Sequence, residues 1–140
     1  MPKLLVVSFV REGMLYVNHA MVLGMDVRVL DCVENHRQQL ISWYGDKVLH
    51  TPGRRNDVKD CVVQEQIDVA IVQEESDYVR AALITQSLRE AGVGLIIVVT
   101  PDGDKRLLYR RFGAHHTIVA ANEEQAWTML KRLLPTCVSA

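Results

Sequence analysis

The sequence is poor in the residues that mark disulfide-bonded, zinc-binding or membrane-spanning proteins. It has 3 cysteines, which are scattered and form no C-x-x-C motif. This usage predicts reduced thiols in the cytoplasm and no disulfide framework. No apolar run approaches the roughly 20 residues that a membrane-spanning helix needs. The N-terminal apolar stretch is followed too soon by charged residues to be a signal peptide.

A strong charge of either sign is also missing. The net charge is −1, so the chain lacks the basic footprint of a protein that binds nucleic acid. Its apolar fraction of 49% and charged fraction of 24% are ordinary for a globular domain. A length of 140 residues predicts a single domain, 1–140, because domains usually hold about 100–200 residues.

The chain does contain a regular alternation of apolar runs and helical patterns. Three helices have candidate N-cap residues. These are Asn56 or Asp57 for the third helix, Ser76 or Asp77 for the fourth, and Asn122 for the sixth. Short connections and strict alternation predict an α/β fold, a three-layer, doubly wound, parallel six-stranded sheet of Rossmann-like order 3-2-1-4-5-6. The predicted strands are 4–9, 26–31, 47–50, 67–73, 94–100 and 116–119.

The turn after the first strand can be compared with the dinucleotide fingerprint G-x-G-x-x-G. Ser8, Val10 and Gly13 stand at its three positions, so only the third glycine is present. Asp31 ends the second strand, 31 − 8 = 23 positions after Ser8, where an acid holds the ribose in dinucleotide-binding folds. This predicts a nucleotide scaffold with an incomplete phosphate cradle. The alternative is that Gly13 only packs and Asp31 only caps an element.

In an open α/β sheet the ligand lies outside the carboxyl ends of the strands. That edge shows no Ser-His-Asp arrangement and no P-loop, so we expect no catalytic residue and no enzyme. Thr51-Pro52 follow the third strand, where we expect the phosphoacceptor acid of a receiver domain, which argues against that function. We predict no metal ligand, although Asp31, Glu74 and Glu75 are of the type that holds Mg²⁺. The candidate ligand-binding residues are Ser8, Phe9, Val10, Arg11, Gly13, Asp31, Cys32, Pro52, Gly53, Gln73 and Glu74.

Arg11 carries one specific hypothesis. It stands at the start of the first helix, where a cation could neutralise a phosphate that lacks its glycine cradle. The alternative is a solvated surface arginine.

The order of several segments resembles the N-terminal domain of the regulator of K⁺ conductance family, the TrkA-N or RCK domain. These segments are the turn with Gly13, then GMDVRVLD, KVLHTPG, IDVAIVQEESD and RRFGAHHTIV. The resemblance implies a regulatory, non-catalytic domain that binds NAD(H) or an adenine nucleotide. It also implies a homodimer that passes the ligand state to a membrane potassium channel or transporter subunit, so that a cytoplasmic protein could be peripheral to the membrane.

The resemblance also assigns roles to individual residues. Ser8, Val10 and Gly13 match the glycine loop, and Asp31 matches the ribose acid. The segment Thr51-Pro52-Gly53 matches the loop that faces the adenine, and Gln73-Glu74 match the loop after the fourth strand.

Two other functions remain open. One is a degenerate Rossmann scaffold that has lost its nucleotide and dimerises through the apolar residues 81–83 and 107–109. The other is the N-terminal domain of an ATP-grasp-type ligase, which has a similar start and an acid at the end of its second strand.

Overall fold

Parallel strands and crossover helices alternate along the chain, as the sequence predicts. The computed structural model describes residues 2–8, 11–31, 37–52 and 55–134, without the side chains of Arg37 and Arg55. Within these residues six parallel strands pair in the order β3-β2-β1-β4-β5-β6. The predicted α/β, Rossmann-like fold is therefore confirmed.

The strands are β1 (Lys3–Val7), β2 (Asp26–Asp31), β3 (Val48–His50), β4 (Val69–Gln73), β5 (Leu95–Thr100) and β6 (His116–Val119). The helices are α1 (Met14–Val22), α2 (Arg37–Tyr44), α3 (Arg55–Glu65), α4 (Tyr78–Glu90), α5 (Arg106–Phe112) and α6 (Glu123–Leu130). Short 3-10 turns cover Arg11–Gly13, Gly45–Lys47 and Gly103–Lys105.

The three central strands form the core. In β1, β4 and β5 almost every side chain is buried, which explains why these strands read as continuous apolar runs. Burying one Val, Leu or Ile side chain stabilises the fold by about 1.5–3 kcal/mol. The edge strands β3 and β6 are shorter and more exposed.

Side-chain caps begin two of the helices, and both were predicted. The Asp77 carboxylate accepts a hydrogen bond from the backbone N–H of Arg80 at 3.0 Å, at the start of α4. The side chain of Asn122 accepts from the backbone N–H of Gln125 at 2.8 Å, at the start of α6. The third prediction was wrong: α3 already begins at Arg55, so neither Asn56 nor Asp57 precedes it.

In the part of the chain that the structure describes, no helix has the length and apolar character needed to cross a membrane.

Candidate functional site at the carboxyl edge of the sheet

The parallel register brings the ends of β1, β2 and β4 to one edge. Ser8 directly follows β1, Asp31 ends β2, and Gln73 ends β4 with Glu74 behind it. Pro52 also follows its strand and is exposed. Four of the predicted ligand-binding residues lie outside the described residues; they are Phe9, Val10, Cys32 and Gly53.

Protein hydroxyls surround the one glycine of the first turn. A Cβ atom on Gly13 would lie 2.5 Å from Ser8 Oγ and 2.8 Å from the hydroxyl oxygen of Tyr44, so only glycine fits there. The side chains of Ser8 and Tyr44 hydrogen-bond to each other. Burial, with the nearby charges of Glu75 and Glu12, raises the pKa of Tyr44, which keeps its hydroxyl protonated. The backbone of Gly13 therefore faces these hydroxyls.

Asp31 is a buried carboxylate with a histidine partner. Its side chain is 6% exposed, and Asp31 Oδ2 lies 2.6 Å from His50 Nδ1. His50 stands beside Asp31 because β2 and β3 pair in that register, and its own side chain is 31% exposed. Sequence spacing did not reveal His50, since the pair is formed by two neighbouring strands.

Gln73 is held by the first helix. The hydroxyl of Tyr16, in α1, donates to Gln73 Oε1 at 2.5 Å. Tyr16 is fully buried, and that burial, with the charge of Glu123, raises its pKa, so it remains a donor. The Gln73 side chain is thus oriented by the protein itself.

Glu74 is buried and belongs to a cluster of donors. Thr100 Oγ1 donates to Glu74 Oε2 at 2.9 Å, and the hydroxyl of Tyr109 donates to Oε1. Lys105 Nζ lies 3.3 Å from the same Oε1 and 4.4 Å from the ring centroid of Tyr78. Burial, the hydrogen bond to Glu74 and nearby charges raise the pKa of Tyr109. Both carboxylate oxygens of Glu74 are therefore bonded inside the protein.

Arg11 begins the short 3-10 turn that precedes α1. It is exposed in a groove of about 580 Å³ between the start of α1 and the start of α6. The same groove is lined by Glu12, Glu123 and Glu124, so carboxylates surround the arginine. Acidic side chains thus share the groove with Arg11, and the phosphate hypothesis for this arginine stays a prediction.

The described residues contain no group of three or more His, Cys, Asp or Glu side chains that could hold a metal ion. Asp31 is bonded to His50 and Glu74 to its own donors, and among the described residues the two acids share no hydrogen-bond partner. The thiol of Cys61, in α3, is partly buried, and burial with the charge of Glu65 raises its pKa. The described edge therefore has polar groups that mostly bond to one another.

Known structures resemble this fold throughout its length. The NAD(P)-binding domain of an exopolyphosphatase-related protein from Archaeoglobus fulgidus has a TM-score of 0.68 at 17% identity, over 96% of this chain and 100% of that one. The TrkA-N domain of the inner membrane protein YbaL from Escherichia coli has a TM-score of 0.63 at 19% identity, over 94% and 96%. The chemotaxis protein CheY4 from Vibrio cholerae has a TM-score of 0.62 at 16% identity, over 96% and 99%.

No protein-family model and no curated protein matches the sequence. The similar structures include both TrkA-N and chemotaxis domains, at low identity. This likeness therefore shows an α/β fold of the Rossmann-like type, shared with both kinds of domain.

Proposed function

We propose that this chain is a non-catalytic regulatory domain that binds an adenine nucleotide, such as NAD(H), with Asp31 as the ribose ligand. The observation that carries the proposal is the buried carboxylate of Asp31 at the end of β2, beside the first crossover. A carboxylate has about four lone-pair positions, and His50 uses one of them. Two ribose hydroxyls can donate to Asp31 while His50 stays in place.

The similar domain from Archaeoglobus fulgidus supports this ligand, because it is an NAD(P)-binding domain. The position of Gly13 sets a limit on how the ligand lies. Since Ser8 and Tyr44 fill the space next to this glycine, we place the phosphates outside the β1–α1 turn, with the ribose at Asp31.

The hydrogen bonds among the polar side chains at the carboxyl edge of the sheet support a non-catalytic function. The Ser8 hydroxyl is bonded to Tyr44, and both oxygens of Glu74 have donors. The carboxylate of Asp31 orients His50, as a carboxylate does for a histidine that acts as a general base. Among the described residues, however, no hydroxyl or thiol is seen hydrogen-bonded to its Nε2. The ligand state would then be passed to a partner, for which we propose a membrane potassium channel or transporter subunit.

A thermal-shift and calorimetry panel of NAD⁺, NADH, ATP, ADP and AMP tests the proposal. A ligand present at about 100 times its dissociation constant adds about 2.7 kcal/mol of stability. For a domain of this size we expect a rise in Tm of about 5–10 °C.

A pair of aspartate variants locates the binding. Asp31→Asn removes the charged acceptor and should weaken nucleotide binding by about tenfold or more. Asp60→Asn, on the exposed surface of α3, is the matched control and should leave the affinity unchanged. If none of the five nucleotides stabilises the wild-type protein, the proposal is wrong.

A homodimeric scaffold is a second candidate function, favoured by exposed apolar side chains on two packed helices. Tyr78, Val79 and Leu83 of α4 are 45%, 50% and 49% exposed, and Leu107 of α5 is 59% exposed. The dimer contact was predicted at residues 81–83 and 107–109. Of these six residues, only Leu83 and Leu107 are large apolar side chains that are about half exposed or more. A cluster of this kind is typical of a protein–protein contact.

Light scattering over a range of concentrations distinguishes the scaffold from a monomer. We expect Leu83→Glu combined with Leu107→Glu to give a monomeric mass where the wild type gives a dimeric one. Met129→Glu, at a side chain 44% exposed on α6, is the control. A wild type that is monomeric at every concentration would exclude this candidate.

A further inference from the structure

A second groove lies at the opposite edge of the sheet, between the last turns of α4 and α5. Its volume is about 560 Å³, close to that of the groove at Arg11, and Arg89, Arg110, Arg111 and His115 are among the residues that line it. Glu90 is the acidic residue of its lining. The groove lies near the amino ends of β5 and β6, so it is separate from Asp31.

His115 receives more donors than it can accept. The backbone N–H of Ile96 donates to His115 Nδ1 at 2.9 Å, and Arg89 Nη1 lies 2.7 Å from His115 Nε2. A neutral imidazole has one unprotonated nitrogen. The backbone N–H of Ile96 and the guanidinium of Arg89 are both always donors, so in either tautomer one of these two contacts brings two N–H groups together. With the proton on Nε2, the repulsion falls between Nε2 and Arg89, and an oxyanion beside the two groups would relieve it by accepting a hydrogen bond from each.

The groove is built around a required glycine. Gly113 has φ +117, and a Cβ there would lie 2.5 Å from Arg89 Cβ and 2.7 Å from Arg89 Cγ. The end of α5 can therefore lie directly against the stem of Arg89. Arg89 Nη1 also donates to the carbonyl oxygen of Gly113 at 3.2 Å. These contacts hold the guanidinium next to His115.

Helix dipoles offset only part of the positive charge. The carboxyl ends of α4 and α5 together carry roughly one negative charge, since each helix end contributes about half a charge. Glu90 adds another, while Arg89, Arg110 and Arg111 supply three positive charges. About one positive charge remains uncompensated, before any charge on His115.

We propose that this groove is a binding site for a phosphate-type oxyanion, either free phosphate or the phosphate of a small ester, with Arg89 and His115 as its first donors. Arg110 and Arg111 add charge at the rim. The proposal does not depend on nucleotide binding at Asp31.

The electrostatics of His115 agree with this site. Burial, the charge of Arg89 and the charge of His116 lower the pKa of His115. Arg89 faces it from α4, His116 adjoins it on β6, and Arg110, Arg111 and Glu90 share the groove. A bound anion would oppose this repulsion. By linkage, the affinity for an anion of fixed charge should rise as the pH falls through the range, below the ordinary histidine pKa of about 6.5, in which His115 takes up a second proton and gives up the hydrogen bond from Ile96.

Isothermal titration at constant ionic strength tests the site, with sulfate, inorganic phosphate and glycerol phosphate as probes and chloride as the reference. Sulfate keeps its charge across this pH range, so it isolates the response of His115. We expect dissociation constants below about 1 mM, which corresponds to about −4.1 kcal/mol. Nitrogen NMR of the His115 ring should show a shift on titration with sulfate. Comparison of free phosphate with the ester distinguishes the two sources.

Matched arginine variants locate the binding. Arg89→Met keeps the aliphatic stem beside Gly113 and should weaken sulfate binding at least tenfold, and Arg110→Gln with Arg111→Gln should weaken it about threefold. Arg106→Gln, an exposed arginine at the other end of α5, should have no effect. The proposal is overturned if the oxyanions bind no better than chloride, or if Arg89→Met and Arg106→Gln behave alike. A folded Arg89→Met protein, checked by circular dichroism, keeps the comparison valid.

Discussion

Asp31 and Glu74 are two buried carboxylates at the same edge of the sheet, on either side of β1, and their surroundings differ. Asp31 is 5% exposed and Glu74 is 6% exposed. Among the described side chains, Asp31 is hydrogen-bonded to His50. Glu74 is bonded to Thr100, to Tyr109 and to Lys105. Equal burial at equivalent strand ends therefore does not imply equal roles.

The difference comes from what each neighbouring segment supplies. β3 is a short edge strand, and it brings one half-exposed histidine to Asp31. β5, the 3-10 turn after it and α5 bring two hydroxyls and an ammonium group to Glu74. Among the described side chains, Asp31 has one hydrogen-bond partner, while Glu74 ties β4, β5 and α5 together. This difference is the reason for proposing Asp31 as a ligand-binding residue, whereas the role of Glu74 is in stability.

The largest expected effect is the loss of stability on replacing Glu74. Glu74→Ala leaves an ammonium group and two hydroxyls without their acceptor, and should lower the free energy of unfolding by about 3–4 kcal/mol. Urea denaturation measures the change. Glu124→Ala, on the exposed surface of α6, is the control and should stay within about 0.5 kcal/mol of the wild type. A loss below about 1 kcal/mol for Glu74→Ala would contradict the structural role.

Asp31→Asn should have a smaller effect on stability. Its partner His50 is partly exposed and can be hydrated, so we expect a loss of about 1–1.5 kcal/mol in urea denaturation. Glu74→Gln is the variant to compare with Asp31→Asn, because it should reduce stability and leave the nucleotide affinity unchanged. Equal losses of nucleotide affinity in the two variants would remove the distinction between the two acids.

The sequence was sufficient to predict the sheet. Strands β2 and β6 have the predicted bounds, because glycine and polar residues punctuate the chain next to them. The order of the strands follows from short right-handed crossovers. The start of α3 was placed too late, since two good capping residues stand inside its first turn.

The bonding of the site could not be predicted in the same way. Sequence position places Asp31, Gln73 and Glu74 at the carboxyl edge, since each follows or ends an apolar strand. Their partners are 19, 57 and 35 residues away in the chain, in the pairs with His50, Tyr16 and Tyr109. These pairs depend on strand register and on the rotation of helices, and no spacing in the sequence specifies either.

The smallest expected effect is the coupling between the two hydroxyl donors of Glu74. Thr100→Val and Tyr109→Phe each remove one donor while keeping most of the side-chain volume, and each should cost about 1 kcal/mol. If the cluster acts as a unit, the double variant departs from the sum of the single variants by about 0.5–1 kcal/mol in urea denaturation. Thr100→Val combined with Thr128→Val, on the exposed surface of α6, is the control pair and should be additive. Additivity in both pairs would mean that the donors act independently, and Glu74 would then resemble Asp31 more closely than its three partners indicate.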